Sequence, residues 1–319
     1  MSWAAQSERG TPWLLRTGLA TVRRCGATAG RAIVLGSVAW FLATSPQARR
    51  ASRDYLGRAL GRAATWREVA RHFDQFGWAI LDRVMLLTGP ADAYRIEVEG
   101  LEALLATLRR GQGALLLGAH LGSFEVLRSL ASRAPVPVWA LMYQRNAGAL
   151  TALLDQVAPE LRERVIEIGD TASMLRAREC VERGEIVGIL ADRAPPGHRP
   201  VPACFLGATA PFPAGPFILA ATLRAPVFLF YAVRVGKRRY RIGIEPFAEK
   251  VALRREQRMA DLRFYVERYA AALEGWCRAY PYQWFNFFPF WDSDFDDARD
   301  GAPAPVAAAP ARLSQPRPG

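Results

Sequence analysis

The chain has 319 residues, of which 51% are apolar, enough for one large domain or two ordinary ones with a substantial core. Its formal net charge of +12 points to anionic partners: nucleic acid, an acidic carrier protein or an anionic membrane surface. Its four cysteines stand far apart with no C-x-x-C pair, which gives no support to a zinc ribbon or a redox dithiol and fits a reduced compartment.

The charge is uneven. Residues 1–62 hold ten Arg against Glu8 and Asp54, while the whole chain has only two lysines, Lys237 and Lys250. Between Arg31 and Arg49 runs an uncharged stretch with the apolar core "AIVLGSVAWFLA", Ala32 to Ala43. That is short for a membrane span, which needs about 20 apolar residues, and suits a helix near 31–48 lying in the interface, with Trp40 and Phe41 at headgroup depth. A buried helix is the other reading. No cleavable signal peptide is evident, since Arg23, Arg24 and Arg31 interrupt what precedes the apolar run.

Residues 1–95 are expected to be a helical segment: "RASRDYLGRALG" and "WREVARHFDQFGWAILDRVMLL" carry apolar residues at i, i+3, i+4, i+7, and Pro90 closes the run. From Ile96 to about residue 297 the pattern becomes α/β. "GALLLGA", "PVWALMY", "RVIEIG" and "EIVGILAD" have strand character, and "SFEVLRSLAS", "AGALTALLDQV" and "TASMLRARECVERG" have helical character. "AGPFILAATLR" follows as a helix, then "PVFLFYAVRV" and "YRIGIEPF" as a hairpin, then a last helix from about Arg255 to Arg278. Near-continuous apolar strands alternating with helices predict a mostly parallel central sheet covered on both faces. The segment 298–319, rich in Ala and Pro, is expected to be disordered.

Several familiar signatures fail. "GQGALL" lacks the third glycine of a dinucleotide fingerprint, no phosphate-binding P-loop occurs, and no G-x-S-x-G elbow is present. "DSDFDD", Asp292 to Asp297, has Asp297 where a calcium loop needs Gly and Pro303 where it needs Glu.

One pattern carries chemistry. In "LLLGAHLGSFEVLRSL" the apolar strand Gly113 to Leu117 ends at His120, and Glu125 follows five residues later in the first turn of the expected helix. Reactive groups gather at the carboxyl ends of strands in open α/β sheets. Gly122 and Ser123 give a turn and an N-cap. A carboxylate folded back on the imidazole would fix its tautomer and stabilise the imidazolium formed when the ring takes a proton from a hydroxyl or amine. From spacing alone, a hydrogen-bonded structural histidine is the competing reading.

These residues resemble the H-x4-[D/E] block of the glycerolipid and lipid A acyltransferase superfamily. Over residues 10–292 the chain looks like the bacterial lipid A biosynthesis (lauroyl/myristoyl) acyltransferases: "RRASRDYLGRAL", "FDQFGWAILDRV", "GAHLGSFEVLRSL", "YQRNAGALTALLD", "GILADRAPP", "ACFLGATAPFPAGPFILAATLRAPVFLF" and "PYQWFNFFPFW" follow that family's order of blocks. The resemblance implies His120 as general base and Glu125 as its orienting carboxylate. It places Asp192 and Arg193 beside the reaction centre at the next strand end, Arg193 serving a donor phosphate or the developing oxyanion. Arg145 and Asn146 would belong to a substrate site, and Phe205, Gly207, Pro213 and Gly215 would shape an acyl or pantetheine groove. Loop-holding pairs and tight turns are the alternatives for all of these. The aromatic strip around Trp284 is either a cap on hydrocarbon or core.

The implied activity is acyl transfer from an acyl carrier protein or coenzyme A thioester to a lipid or glycolipid at the cytoplasmic face of the inner membrane. It would need no metal and no cofactor beyond the donor, and the protein would sit there peripherally or by a single N-terminal anchor. Arg162, Arg164, Arg176, Arg178 and Arg183 do not align with a functional position of the lipid A enzymes, which puts a lipid A precursor as acceptor in doubt. The competing functions are a hydrolase using the same pair on water, and a basic nucleic-acid binder. No nucleic-acid motif supports the latter, and nucleic acid is not an expected partner.

Overall fold

In a computed structural model, residues 12–88, 93–124, 126, 136–142, 164–169, 171–194 and 200–291 are described. The chain opens with three helices, α1 (Pro12–Thr44), α2 (Pro46–Leu60) and α3 (Trp66–Thr88). Pro46 starts α2 at a position that needs no backbone donor, so the helix expected near 31–48 is divided at Ser45. A capping box opens α3: the Thr65 hydroxyl accepts from the Glu68 N–H at 3.3 Å, and Glu68 accepts from the Thr65 N–H at 2.8 Å.

The sheet strands are β1 (Arg95–Glu99), β2 (Ala114–Gly118), β3 (Val138–Met142), β4 (Val165–Glu167), β5 (Ile186–Leu190), β8 (Val227–Gly236) and β9 (Arg239–Ala248), in the spatial order β1-β9-β8-β2-β5-β3-β4. Every neighbouring pair is parallel except the β8–β9 hairpin, so the sheet is mostly parallel, as expected. Between β5 and β8 a separate antiparallel hairpin, β6 (Val201–Phe205) with β7 (Ala208–Phe212), was not foreseen in the sequence. Its turn is Leu206–Gly207, both with positive φ, the primed geometry that matches strand twist. Among the described residues the remaining α-helices are α4 (Leu101–Arg109), α5 (Thr171–Glu182), α6 (Gly215–Leu223) and α7 (Arg258–Ala279). The expected helices over 123–132 and 147–157 fall mostly or wholly outside the described residues, as does the Ala/Pro-rich tail.

Strand β2 lies at the centre and is buried throughout. Leu115, Leu117, Val187, Ile189 and Leu229 face one core, which takes in α5, α6 and α7; Ala114, Leu116, Ile186, Phe228 and Phe230 face another. This period-2 division, with both halves apolar, is why the strands read as continuous hydrophobic runs. Helix α7 is tied to the end of β2 by Tyr269, whose hydroxyl donates to the Gly118 carbonyl at 2.7 Å.

Helix α1 packs tightly on α3: a methyl placed on Gly77 would stand 2.7 Å from Val34 and Val38. Phe41 and Leu42 also turn inward, while Ile33, Leu35 and Trp40 are exposed. Among the described residues no helix is long and apolar enough to cross a membrane. On α3, buried Asp82 accepts from Tyr94 and Tyr240, each at 2.7 Å, and lies 3.2 Å from Nε of Arg234 on β8. The Arg234 guanidinium stands 4.3 Å from the Trp78 ring, and that of Arg31 stands 4.2 Å from the same ring.

Candidate active site

The centre of the sheet delivers two residues to one place. His120 follows β2 by two positions and Asp192 follows the adjacent β5 by two. The turn after β2 is fixed from both sides. Leu121 bridges to Trp284, Phe285 N–H donates to the His120 carbonyl at 2.9 Å, and Gly122 N–H donates to the Gln283 carbonyl at 2.7 Å. On the other side, Ser123 N–H donates to the Ala232 carbonyl at 2.8 Å. Gly122 has φ +72°, and any Cβ there would collide with the Ala232 carbonyl.

Asp192 is fully buried and receives four donors. Its Oδ1 accepts a hydrogen bond from His120 Nδ1 at 2.7 Å; its Oδ2 accepts from His120 N–H at 3.0 Å, Trp284 Nε1 at 2.9 Å and Asn286 Nδ2 at 3.3 Å. A carboxylate only accepts, so Nδ1 is the protonated nitrogen and Nε2 keeps its lone pair. The His120 side chain retains 31% of its surface, so the ring is held by one edge and open at another.

The electrostatics assign charges. Burial acts to raise the Asp192 carboxyl, but the His120 ring, its hydrogen bonds and the Arg193 cation outweigh it and hold the group well below the usual carboxylate range. For His120, burial lowers the pKa, Arg193 lowers it further, and Asp192 opposes only in part. At neutral pH the pair is a carboxylate and a neutral imidazole. Burial brings Arg193 down to about 10, so it stays cationic. Its Nε donates to Asn286 Oδ1 at 2.7 Å and its Nη2 to the Phe285 carbonyl at 2.9 Å.

Of the site residues expected from the sequence, His120, Asp192 and Arg193 are brought together. Asp192 has no exposed surface to offer a substrate and acts on the ring. Glu125, Arg145 and Asn146 lie outside the described residues. Phe205 is wholly buried and packs on Trp284 with centroids 5.3 Å apart, behind the site. Gly207 forms the β6–β7 turn, Pro213 is buried, and Gly215 begins α6. Trp284, Phe285, Phe287 and Phe290 are core. Gln283 and Asn286 were not singled out, although a polar residue inside so apolar a strip as "QWFNFFPFW" is itself a signal, because a buried polar group needs a partner.

His72, the second described histidine, does different work. Its Nε2 lies 2.9 Å from the Trp284 carbonyl and its Nδ1 2.9 Å from the Ser52 hydroxyl, and burial lowers its pKa to about 4. It is a neutral bridge joining α2, α3 and the aromatic strip.

No curated protein matches the chain. A family model described as bacterial lipid A biosynthesis acyltransferase matches residues 4–293. With a match over nearly its whole length, and with a histidine poised at the strand ends, the chain belongs to the bacterial lipid A biosynthesis acyltransferase family and is an acyltransferase.

Proposed function

We propose that the protein moves a fatty acyl chain from an acyl carrier protein or coenzyme A thioester to a hydroxyl or amine of a lipid or glycolipid, with His120 as general base. The observation that carries this reading is the 2.7 Å bond from His120 Nδ1 to buried Asp192, which leaves Nε2 as the proton acceptor. Nε2 takes the acceptor's proton as its oxygen or nitrogen attacks the thioester carbonyl. The tetrahedral intermediate collapses, the C–S bond breaks, and the imidazolium returns its proton to the thiolate. Asp192 supports the imidazolium between these steps. Arg193 contributes a fixed positive charge while the oxyanion exists. Nothing in this sequence of steps calls on a metal or an added cofactor.

The exposed side of α1 supports work at the cytoplasmic face of an inner membrane: Ile33, Leu35 and Trp40 face outward between Arg31 and Arg49. The test is transfer of a labelled acyl chain from carrier-protein and coenzyme A thioesters to lipid extracts in anionic vesicles. Acceptor-dependent product is expected from the wild type. His120→Ala is expected to lose about 10³-fold or more with its melting temperature kept. Normal transfer by His120→Ala, or thioester turnover independent of acceptor, would overturn the proposal.

A further inference from the structure

We propose that Asn286 is a positioning residue for acyl transfer, a neutral spacer that commits Asp192 to His120 and keeps Arg193 from pairing with it. The inference rests on the reading of His120 as base. Asn286 is 1% exposed and stands between two ions: its Oδ1 accepts from Arg193 Nε at 2.7 Å and its Nδ2 donates to Asp192 Oδ2 at 3.3 Å.

The chemistry of the two neighbours leaves the amide one orientation. Guanidinium only donates and carboxylate only accepts, so a flipped Asn286 would lose both bonds. A carboxamide, which donates from one atom and accepts at another, satisfies both ions at once without adding charge. Its backbone is fixed as well, since Asn286 N–H donates to the Trp284 carbonyl at 3.0 Å, the carbonyl that His72 also holds.

The arrangement separates two jobs. Asp192 and Arg193 are adjacent in sequence, and a direct ion pair between them would draw the carboxylate away from the imidazole and neutralise it. The amide and the Phe285 carbonyl hold the guanidinium on the far side of Asn286, so the carboxylate's Oδ1 is left to the ring. Arg193 remains a cation bonded to neutral acceptors, the Asn286 amide oxygen and the Phe285 carbonyl. A merely structural Asn would fill space; this one sets the charge His120 experiences.

The test uses Asn286→Asp, close to isosteric, which replaces a neutral donor with an anion beside Asp192. The acid limb of kcat/KM is expected to move up by about one pH unit, because an added negative charge favours the imidazolium, and kcat to fall at least about tenfold with the donor KM within about threefold. The chain has three histidines, so the His120 titration can also be followed directly by nitrogen NMR, assigned with His120→Ala. If Asn286→Asp does not fold, Asn286→Ser carries the test: it keeps a small polar group but cannot span both ions, and a lowered kcat with donor KM preserved is expected. An unmoved acid limb in folded Asn286→Asp, or wild-type kcat in Asn286→Ser, overturns the proposal. Activity retained by His120→Ala would instead overturn the reading of the base, so the two failures are separable.

Discussion

Asp192 grips His120 at two points, the backbone N–H at 3.0 Å and ring Nδ1 at 2.7 Å, across 72 residues of sequence. Position and tautomer of the ring are thus fixed by a single carboxylate. Asp192→Asn preserves shape but removes the charge that favours the Nδ1–H tautomer. A drop in kcat of about 10³- to 10⁴-fold is expected, with the fold intact by thermal melt. Wild-type turnover by the folded variant would show that the charge is not used.

In the proposed mechanism the active form of His120 is the neutral ring, and burial and Arg193 both lower its pKa against the partial opposition of Asp192. The rate should therefore rise with pH through a midpoint below the ordinary histidine value of about 6.5 and then level off. Arg193→Gln removes the cation and should move that midpoint upward. A wild-type midpoint above the ordinary value would contradict the assignment of charges.

His72 is held neutral by burial, with a folded pKa of about 4. The unfolded chain takes up its proton near 6.5, so this contribution to stability is complete above about pH 6.5 and is lost as pH falls toward 4, amounting to about 3 kcal/mol. His120 acts with the same sign. His72→Gln should be less stable at neutral pH by about 1–3 kcal/mol, through imperfect bonds to Ser52 and Trp284, yet show a shallower loss on acidification. Melting temperatures from pH 7.5 to 4.5 decide it: parallel curves for wild type and variant would remove His72 from the account.

Two glycines with positive φ should respond differently to alanine. Around Gly207 there is open space, so Gly207→Ala should cost about 1 kcal/mol from backbone strain and leave activity unchanged. Gly122→Ala adds a collision with the Ala232 carbonyl in the loop that carries His120, so it should cost several times more and abolish turnover. Equal melting temperatures for the two variants would refute the packing argument at Gly122.

The sheet was legible because β2, β5 and β8 are buried on both faces and so read as unbroken apolar runs. Helix α7 was legible, though a 3-10 turn at Arg255–Gln257 stands where the helix was expected to begin. The hairpin β6–β7 escaped because its turn uses Leu206 at φ 50°, a residue that announces no turn. His120 stood out by its place at a strand end, but no periodicity could show that the carboxylate on Nδ1 comes from the neighbouring strand, because strand order is a long-range property. Asn286 was hidden by its aromatic neighbours, whose pattern signals core.

The shared indole of Trp78 has a mechanical consequence. Arg31 of α1 and Arg234 of β8 both approach it, and Gln283, whose side chain bonds Arg234 N–H at 2.8 Å and the Arg234 carbonyl at 2.9 Å, accepts through its own carbonyl from Gly122 N–H. From α1 to the loop beside the imidazole the path passes only through stacked rings, charges and hydrogen bonds, with no free linker. A change in the seat of α1 is therefore expected to be felt in the loop that carries His120.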